Sequence, residues 1–163
     1  MGGNSAHAAI EANIFRNNTC DRRKFSGVVS FNLKSKLLIN NNVFENNACI
    51  AINMALSKSG LSIIANNTLV ANRTAIRVDN RYNVSQQVFL NNILFKNDVG
   101  LEVTQQSSTN NPAWDNNLVF GNGTNYRGID DLTGKFGNIS KDPQFADFEL
   151  GDYRLRADSN AID

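Results

Sequence analysis

The chain has 163 residues, which is the size of one domain, and its 16 Lys and Arg against 15 Asp and Glu give no indication of nucleic-acid binding. No apolar run is long enough to cross a membrane, and residues 1–4 have neither the basic start nor the apolar stretch of a signal peptide. The sequence therefore leaves the compartment unknown, with a cytoplasmic location expected for the chain as it stands. Asparagine occurs 27 times, which disfavours helices and favours repeated turns.

A short unit that begins with paired asparagines recurs along the chain. Its clearest copies are residues 66–72, 91–97 and 116–122, and shorter versions lie at residues 12–17 and 41–46. The second residue of each copy is Asn13, Asn42, Asn67, Asn92 or Asn117, at intervals of 29, 25, 25 and 25 residues. A fixed period of this length predicts a solenoid.

Apolar residues occupy fixed places within each period. Three residues before the reference asparagine lie Ile10, Ile39, Ile64, Phe89 and Trp114. A later segment alternates apolar and polar residues, as a strand does. Each period therefore holds about three short strands, which predicts an all-β, three-sheet parallel β-helix. We expect two columns inside it: the amides of Asn41, Asn66, Asn91 and Asn116, and the rings of Phe15, Phe44, Phe95 and Phe120.

Taken in chain order, the repeats run from about residue 5 to 126 within a single domain, 1–163. The first rung adds a basic insertion, Thr19 to Phe25, and insertions in solenoids often lie on the binding face. Three regular rungs follow, at about residues 32–53, 54–79 and 80–104. The fifth copy loses its last strand, and residues 127–163 predict an irregular C-terminal cap, so about five or six rungs are expected.

The tail carries a family resemblance. The repeats followed by Asp142-Pro143-x-Phe145, Asp152-Tyr153-Arg154-Leu155 and Ser159-x-Ala161-Ile162-Asp163 resemble the C-terminal end of right-handed parallel β-helix proteins of the pectate-lyase-like superfamily. Asn160 stands where that pattern usually has Pro. The resemblance implies a right-handed coil, and many similar proteins are secreted and act on or bind polysaccharides.

The same resemblance indicates where a lyase site would lie. By register, the outer face of one sheet carries Ser30, Ala51, Arg77 and Glu102. Abstraction of a proton next to a uronate carboxylate needs a base and a cation. Arg77 could be that base, with Asp79, Asp98 or Glu102 as ligands for Ca²⁺. The alternative is that Arg77 and Glu102, in one column, form a surface ion pair.

Weighing these alternatives favours a noncatalytic module that binds carbohydrate or another surface. The basic insertion next to Arg77 suggests an acidic oligosaccharide. The ligand-binding candidates are Arg22, Arg23, Arg73, Arg77 and Glu102. Two alternatives are left open. The protein could be a polysaccharide lyase, or it could be a structural remnant or a standalone protein with another role. No cofactor is expected for a binding module. Ca²⁺ would be expected only if the protein were a lyase.

Two cysteines do not make a disulfide framework. Cys49 shares a column with Ala75 and Gly100, where a buried thiol is ordinary packing, and a bridge to Cys20 is the less favoured alternative. His7, the only histidine, predicts a solvated surface residue and no metal site.

The first rung also suggests self-association. Few residues precede Ile10, and Met1 to Asn4 have no apolar face to cover it. Unpaired strand edges template further pairing, so we expect a homodimer that joins two first rungs end to end.

Overall fold

A computed structural model describes residues 7–21, 26–31, 36–55, 61–79, 87–104 and 112–162. The five coils contain, in order, β1 (His7–Glu11), β2 (Ile14–Arg16) and β3 (Gly27–Phe31); β4 (Lys36–Asn40), β5 (Val43–Glu45) and β6 (Ile50–Ala55); β7 (Ser62–Ala65), β8 (Thr68–Val70) and β9 (Thr74–Asp79); β10 (Gln87–Leu90), β11 (Ile93–Phe95) and β12 (Val99–Thr104); and β13 (Ala113–Asp115), β14 (Leu118–Phe120) and β15 (Thr124–Arg127). A hairpin of β16 (Phe145–Asp147) and β17 (Asp152–Leu155) follows.

Corresponding strands of successive coils pair in parallel. Sheet A contains β1, β4, β7, β10 and β13; sheet B contains β2, β5, β8, β11 and β14; sheet C contains β3, β6, β9, β12 and β15. The described residues contain no α-helix, and thus no helix that could span a membrane. The all-β, three-sheet solenoid predicted from the repeat is therefore confirmed. The right-handed coil that the resemblance implies agrees with the rule for parallel crossovers.

Two ladders of asparagines run through the stack, and their members in the second to fourth coils are buried. The first contains Asn13, Asn42, Asn67, Asn92, Asn117 and Asn138, and the second contains Asn18, Asn47, Asn72, Asn97 and Asn122. In the first ladder each Nδ2 donates to the Oδ1 of the next coil at 2.9–3.2 Å. The backbone N–H of the same residue donates to that oxygen as well.

The expected inward column is wrong by one residue. The side chains of Asn41, Asn66, Asn91 and Asn116 are exposed, and their backbones are left-handed, with φ between 53° and 55°. Asparagine adopts this conformation more readily than most residues, and it turns the chain from sheet A to sheet B. The first asparagine of each pair therefore makes the turn, and the second makes the ladder.

The single column of phenylalanine rings is also wrong. Phe15 pairs with Phe44, and their rings stack at 4.7 Å inside the solenoid. In the next coils Leu69 and Leu94 continue that column. Phe95 and Phe120 lie one residue further along, on the outer face of sheet B. The error came from taking Asn17 and Asn46 as the closing asparagines of the short copies, whereas the ladder uses Asn18 and Asn47.

Cys20 and Cys49 form a disulfide that joins the first two coils, so the bridge that the sequence disfavoured is present. The register of the second coil explains part of the error. Ile52, and not Ile50, pairs with Ile76, which gives Ala51 the small inward place next to Ala75. Cys49 therefore lies two residues before the column assigned to it, at the entry to the strand, where it is buried and reaches Cys20.

The C-terminal segment covers the last coil and then turns back along one side. Asn138 ends the first ladder, Ile139 bridges to Leu118, and Leu132 packs into the core. The hairpin β16–β17 then lies on the outer face of sheet B, where Phe145 and Tyr153 pack with Phe95. The segment that the sequence predicted as a C-terminal cap therefore covers both the last coil and the outer face of sheet B.

The ladders predict a large difference between adjacent asparagines. Asn92→Ala removes an Oδ1 that accepts two N–H groups of Asn67 and an Nδ2 that donates to Ile64 O. Since buried groups lose their partners, we expect the free energy of unfolding to fall by about 3 kcal/mol in urea denaturation. Asn91→Gly is the matched control, because its side chain is exposed and glycine accepts the left-handed φ; it should change stability by less than about 0.5 kcal/mol. Equal losses would show that the ladder does not stabilise the stack.

The disulfide predicts a second stability difference. Cys20 and Cys49 are 29 residues apart, so removing the cross-link restores entropy to the unfolded chain. The double variant Cys20→Ser with Cys49→Ser should unfold with a free energy about 3 kcal/mol lower than the oxidised chain. The wild-type chain treated with a dithiol should show a loss of similar size. An unchanged denaturation midpoint in both samples would contradict a structural role for the bridge.

Candidate functional site

The outer face of sheet C carries the charged residues that the sequence proposed for a lyase site. Arg77, Glu102 and Arg127 occupy successive coils in one column. Arg77 Nε lies 3.6 Å from Glu102 Oε2, and Arg127 Nη1 lies 3.6 Å from Glu102 Oε1. The predicted ion pair of Arg77 with Glu102 is therefore present, and one glutamate is shared by two arginines.

Two corrections apply to this column. In the second coil the neighbour of Arg77 is Asn53 and not Ala51, because the strand is shifted by two residues from the predicted register. That shift keeps the same side of the strand outward, which is why the alternation did not reveal it. Arg127 was missed altogether, although it follows Glu102 by one 25-residue period.

The three candidate Ca²⁺ ligands do not converge. Asp98 lies in the turn before β12, Glu102 lies in the middle of that strand, and Asp79 lies at the end of β9 in register with Thr104. At a rise of about 3.3 Å per residue, Asp98 and Glu102 are separated by about 13 Å of strand. Among the described residues no group of three or more His, Cys, Asp or Glu side chains could hold a metal ion.

The arginine candidates are only partly brought together. Arg73 is exposed in the turn that precedes β9, four residues before Arg77. Arg22 and Arg23 lie outside the described residues. Arg77 is half-buried and forms an ion pair with Glu102. The arginine at the centre of the proposed site therefore already has a carboxylate partner within the protein.

A groove that the sequence did not predict lies between the turns of coils three to five and the C-terminal tail. It has a volume of about 390 Å³. One wall is formed by the exposed turn asparagines Asn66, Asn91 and Asn116, and the other by Tyr153, Leu155, Asn160 and Ala161. The outward residues Thr68, Ile93 and Leu118 of sheet B lie between the walls. We call this the asparagine groove.

The asparagine groove is polar and uncharged. Asn66 Nδ2 donates to Asn40 Oδ1 at 2.9 Å, and Asn91 Nδ2 donates to Asn66 Oδ1 at 3.4 Å. At one end the backbone of Gly137, with φ of 73°, lies so close to the amide of Asn116 that any larger side chain at position 137 would collide with it. None of the described residues that line the groove is charged.

Contacts on two sides fix the wall of the asparagine groove that contains Tyr153. Its ring packs edge-on against Phe145 at 5.2 Å, and the hairpin turn at Gly151 approaches Glu45 and Arg16. Burial raises the pKa of the Tyr153 hydroxyl above its ordinary value, and the nearby Glu45 carboxylate raises it further. The Tyr153 hydroxyl forms a hydrogen bond with the Glu45 carboxylate, which is not among the residues that line the groove.

The structure belongs to the class of three-sheet parallel β-helices. A family profile described as "Periplasmic copper-binding protein (NosD)" matches residues 3–133. The match covers most of the chain, and the protein therefore belongs to the NosD family. That description names a binding protein and no reaction. No curated protein and no solved structure matches the chain.

The residues present do not fit a copper site. Copper takes imidazole, thiolate and thioether ligands. His7 is exposed on β1, both cysteines form the disulfide, and Met54 is buried in the core at 2% exposure. The soft ligands of the described residues are thus separate or already bonded.

The charged column predicts a salt-dependent effect. Glu102→Gln leaves Arg77 and Arg127 without their shared carboxylate, so the free energy of unfolding should fall by about 1 kcal/mol at low ionic strength. The same comparison in about 1 M salt should show a much smaller difference, because the charges are screened. Thermal unfolding at both salt concentrations measures the change. A loss that salt does not alter would indicate a packing effect instead.

Proposed function

We propose that this protein is a noncatalytic binding module that holds an uncharged oligosaccharide in the asparagine groove. The observation that carries the proposal is the lining of that groove, in which amides and a tyrosine flank apolar residues and no described residue bears a charge. Ligand sites typically combine apolar surface with a few convergent polar groups.

The chemistry of the lining suits a sugar. An asparagine amide both donates and accepts, as a sugar hydroxyl does. Asn91 Oδ1 and the side-chain amide of Asn116 have no hydrogen-bond partner among the described residues, so they can bond a ligand. Ile93 and Leu118 give apolar contact for the C–H face of a ring. The lining residues themselves carry no cation for an acidic sugar, whose carboxylate would lose hydration, and the adjacent Lys141 ammonium already donates to Asn160 Oδ1 at 3.2 Å.

A noncatalytic role fits the positions of the ionisable groups. General acid–base chemistry needs a carboxylate, histidine or similar group within hydrogen-bond reach of the reacting atom. Among the described lining residues of the asparagine groove, Tyr153 is the one ionisable side chain, and burial raises the pKa of its hydroxyl well above the ordinary value, which makes it a poor base. On sheet C, Arg77, the candidate base of a lyase, is held in an ion pair with Glu102.

The charged column of sheet C supports a second candidate, an acidic oligosaccharide. Arg77 and Arg127 share one Glu102, and the exposed Arg73 lies at the start of the same face. Arginines bind carboxylates by charge-assisted hydrogen bonds. This candidate is weaker because Glu102 competes with the ligand.

We infer that the protein works in an oxidising compartment outside the cytoplasm. Disulfides persist in secreted and periplasmic proteins and are rare in the cytosol. The Cys20–Cys49 bridge and the printed description of the family both support this location over the cytoplasmic one expected from the start of the chain.

The homodimer through the first coil stays a prediction. The Oδ1 atoms of Asn13 and Asn18 begin the two ladders and accept no hydrogen bond from any described residue. Two such ends facing each other would bring acceptors against acceptors. A dimer would therefore have to join through strand edges and the half-buried Ile10 and Phe15, and light scattering would detect it.

A glycan array followed by calorimetry tests the asparagine groove. Asn91→Gly should weaken binding of a neutral glycan about tenfold, since one good hydrogen bond contributes about 1.4 kcal/mol. Asn46→Gly is the matched control, because Asn46 is also exposed and left-handed but lies in a different turn column, outside the groove. It should bind like the wild type.

Other outcomes separate the alternatives. Binding of acidic glycans only, lost in Arg127→Ala and in high salt, would move the site to sheet C. Unsaturated products, detected by ultraviolet absorbance with or without Ca²⁺, would establish a lyase. Absence of binding to every glycan on the array would remove all carbohydrate functions.

A further inference from the structure

The turn of the C-terminal hairpin lies on an ion pair of sheet B. Arg16 of β2 and Glu45 of β5 are in register on adjacent coils, and Arg16 Nε donates to Glu45 Oε2 at 2.8 Å. The Arg16 side chain is 52% exposed, whereas the Glu45 side chain is only 19% exposed. The carboxylate is therefore the covered member of the pair.

The hairpin contacts this carboxylate directly. Tyr153 of β17 donates its hydroxyl proton to Glu45 in a hydrogen bond. At the turn, a Cβ placed on Gly151 would lie 3.8 Å from Glu45 Oε1 and 3.9 Å from Arg16 Nη2. Glu45 therefore connects three parts of the molecule, because it lies on the second coil, accepts from the first coil and accepts from the hairpin.

We propose that Glu45, which lies outside the asparagine groove, is a positioning residue for it and fixes the wall that contains Tyr153 at the place where a ligand can contact both walls. This inference rests on the proposed function, because it concerns the same ligand. Arg16 acts one step further away, since its charge-assisted hydrogen bond orients the carboxylate.

The other contacts of the tail hold it in a different way. Phe148 packs edge-on with Phe95 of sheet B, at 5.3 Å between ring centroids. Apolar packing keeps the hairpin against the sheet, but it is non-directional. Ser159 Oγ donates to Pro143 O at 2.7 Å, which joins two segments of the tail to each other. The bond to Glu45 adds a directional link between the wall and the coils.

A fixed wall matters for affinity. A ligand that contacts both walls binds the arrangement in which they are correctly spaced. If the wall with Tyr153 is displaced in part of the molecules, the apparent affinity falls by the fraction that remains competent. Glu45 thus affects binding without touching the ligand.

Amide hydrogen exchange tests the anchor without a ligand. In Glu45→Ala, the amides of β17 and of Gly151 should exchange about tenfold faster, as the loss of one hydrogen bond predicts. Amides of the ladder, such as that of Asn92, should keep their protection. Unchanged exchange in β17, or equal loss of protection at Asn92, would overturn the anchor.

The ionisation of Tyr153 gives a second readout that a general loss of stability would not produce. The Glu45 carboxylate raises the pKa of the Tyr153 hydroxyl through its charge and the hydrogen bond, in addition to the larger effect of burial. Glu45→Ala should therefore lower this pKa towards the ordinary value. NMR of isotope-labelled tyrosine, assigned with Tyr153→Phe, measures the shift, and an unchanged pKa would contradict the bond.

Calorimetry with the neutral glycan that gives the strongest signal on the array links the anchor to the groove. Glu45→Ala should weaken binding about tenfold. Glu45→Gln has the same shape and still offers an oxygen to Tyr153, so it should recover most of the affinity. Arg154→Ala is the matched control, because Arg154 is exposed on the same strand and pairs with Asp152; it should bind like the wild type.

Failure of this inference and failure of the proposed function give different results. If the wild type and Glu45→Ala bind the glycan equally well, Glu45 has no positioning role, although the groove is a glycan site. If the wild type binds no glycan, the proposed function is wrong, and the role of Glu45 towards a ligand is wrong with it.

Discussion

Buried asparagine side chains set the register on which the rest of this solenoid depends. From the second coil onward, each ladder oxygen accepts two N–H groups from the coil before it, so a coil that slips loses several buried hydrogen bonds at once. In every coil the two ladder asparagines are five residues apart, as Asn42 and Asn47 show. Changes of length therefore fall in the connecting segments, where the first coil places its insertion and where Cys20 meets Cys49.

The C-terminal tail covers part of the outer face of sheet B and forms one wall of the asparagine groove. Sheet B would otherwise expose Phe95 and Phe120 on its outer face. The hairpin covers them with Phe145 and Phe148, and Lys96 lies 4.4 Å above the ring of Phe148. Because the hairpin stands above the sheet next to the turn asparagines, a groove forms between them. The candidate ligand site is thus a consequence of covering an apolar face.

The charged face and the disulfide show why similar residues need not share a function. Arg77 and Glu102 satisfy one another, so a column that resembles a catalytic groove is a compensated surface in this chain. Two cysteines that could hold a soft metal are bonded to each other. Membership of a family fixes the scaffold, but the chemistry depends on which side chains are available at each site.

The sequence by itself determined the all-β solenoid, the three strands per coil and the apolar column of Ile39, Ile64 and Phe89, because a fixed period brings equivalent residues of successive coils together. It also predicted the pairing of Arg77 with Glu102. It could not separate the turn asparagine from the ladder asparagine in each pair, since only backbone conformation distinguishes Asn91 from Asn92. The second-coil register, the disulfide and the asparagine groove were decided by tertiary structure. Each depends on contacts between segments whose spacing is irregular, and no period in the sequence carries that information.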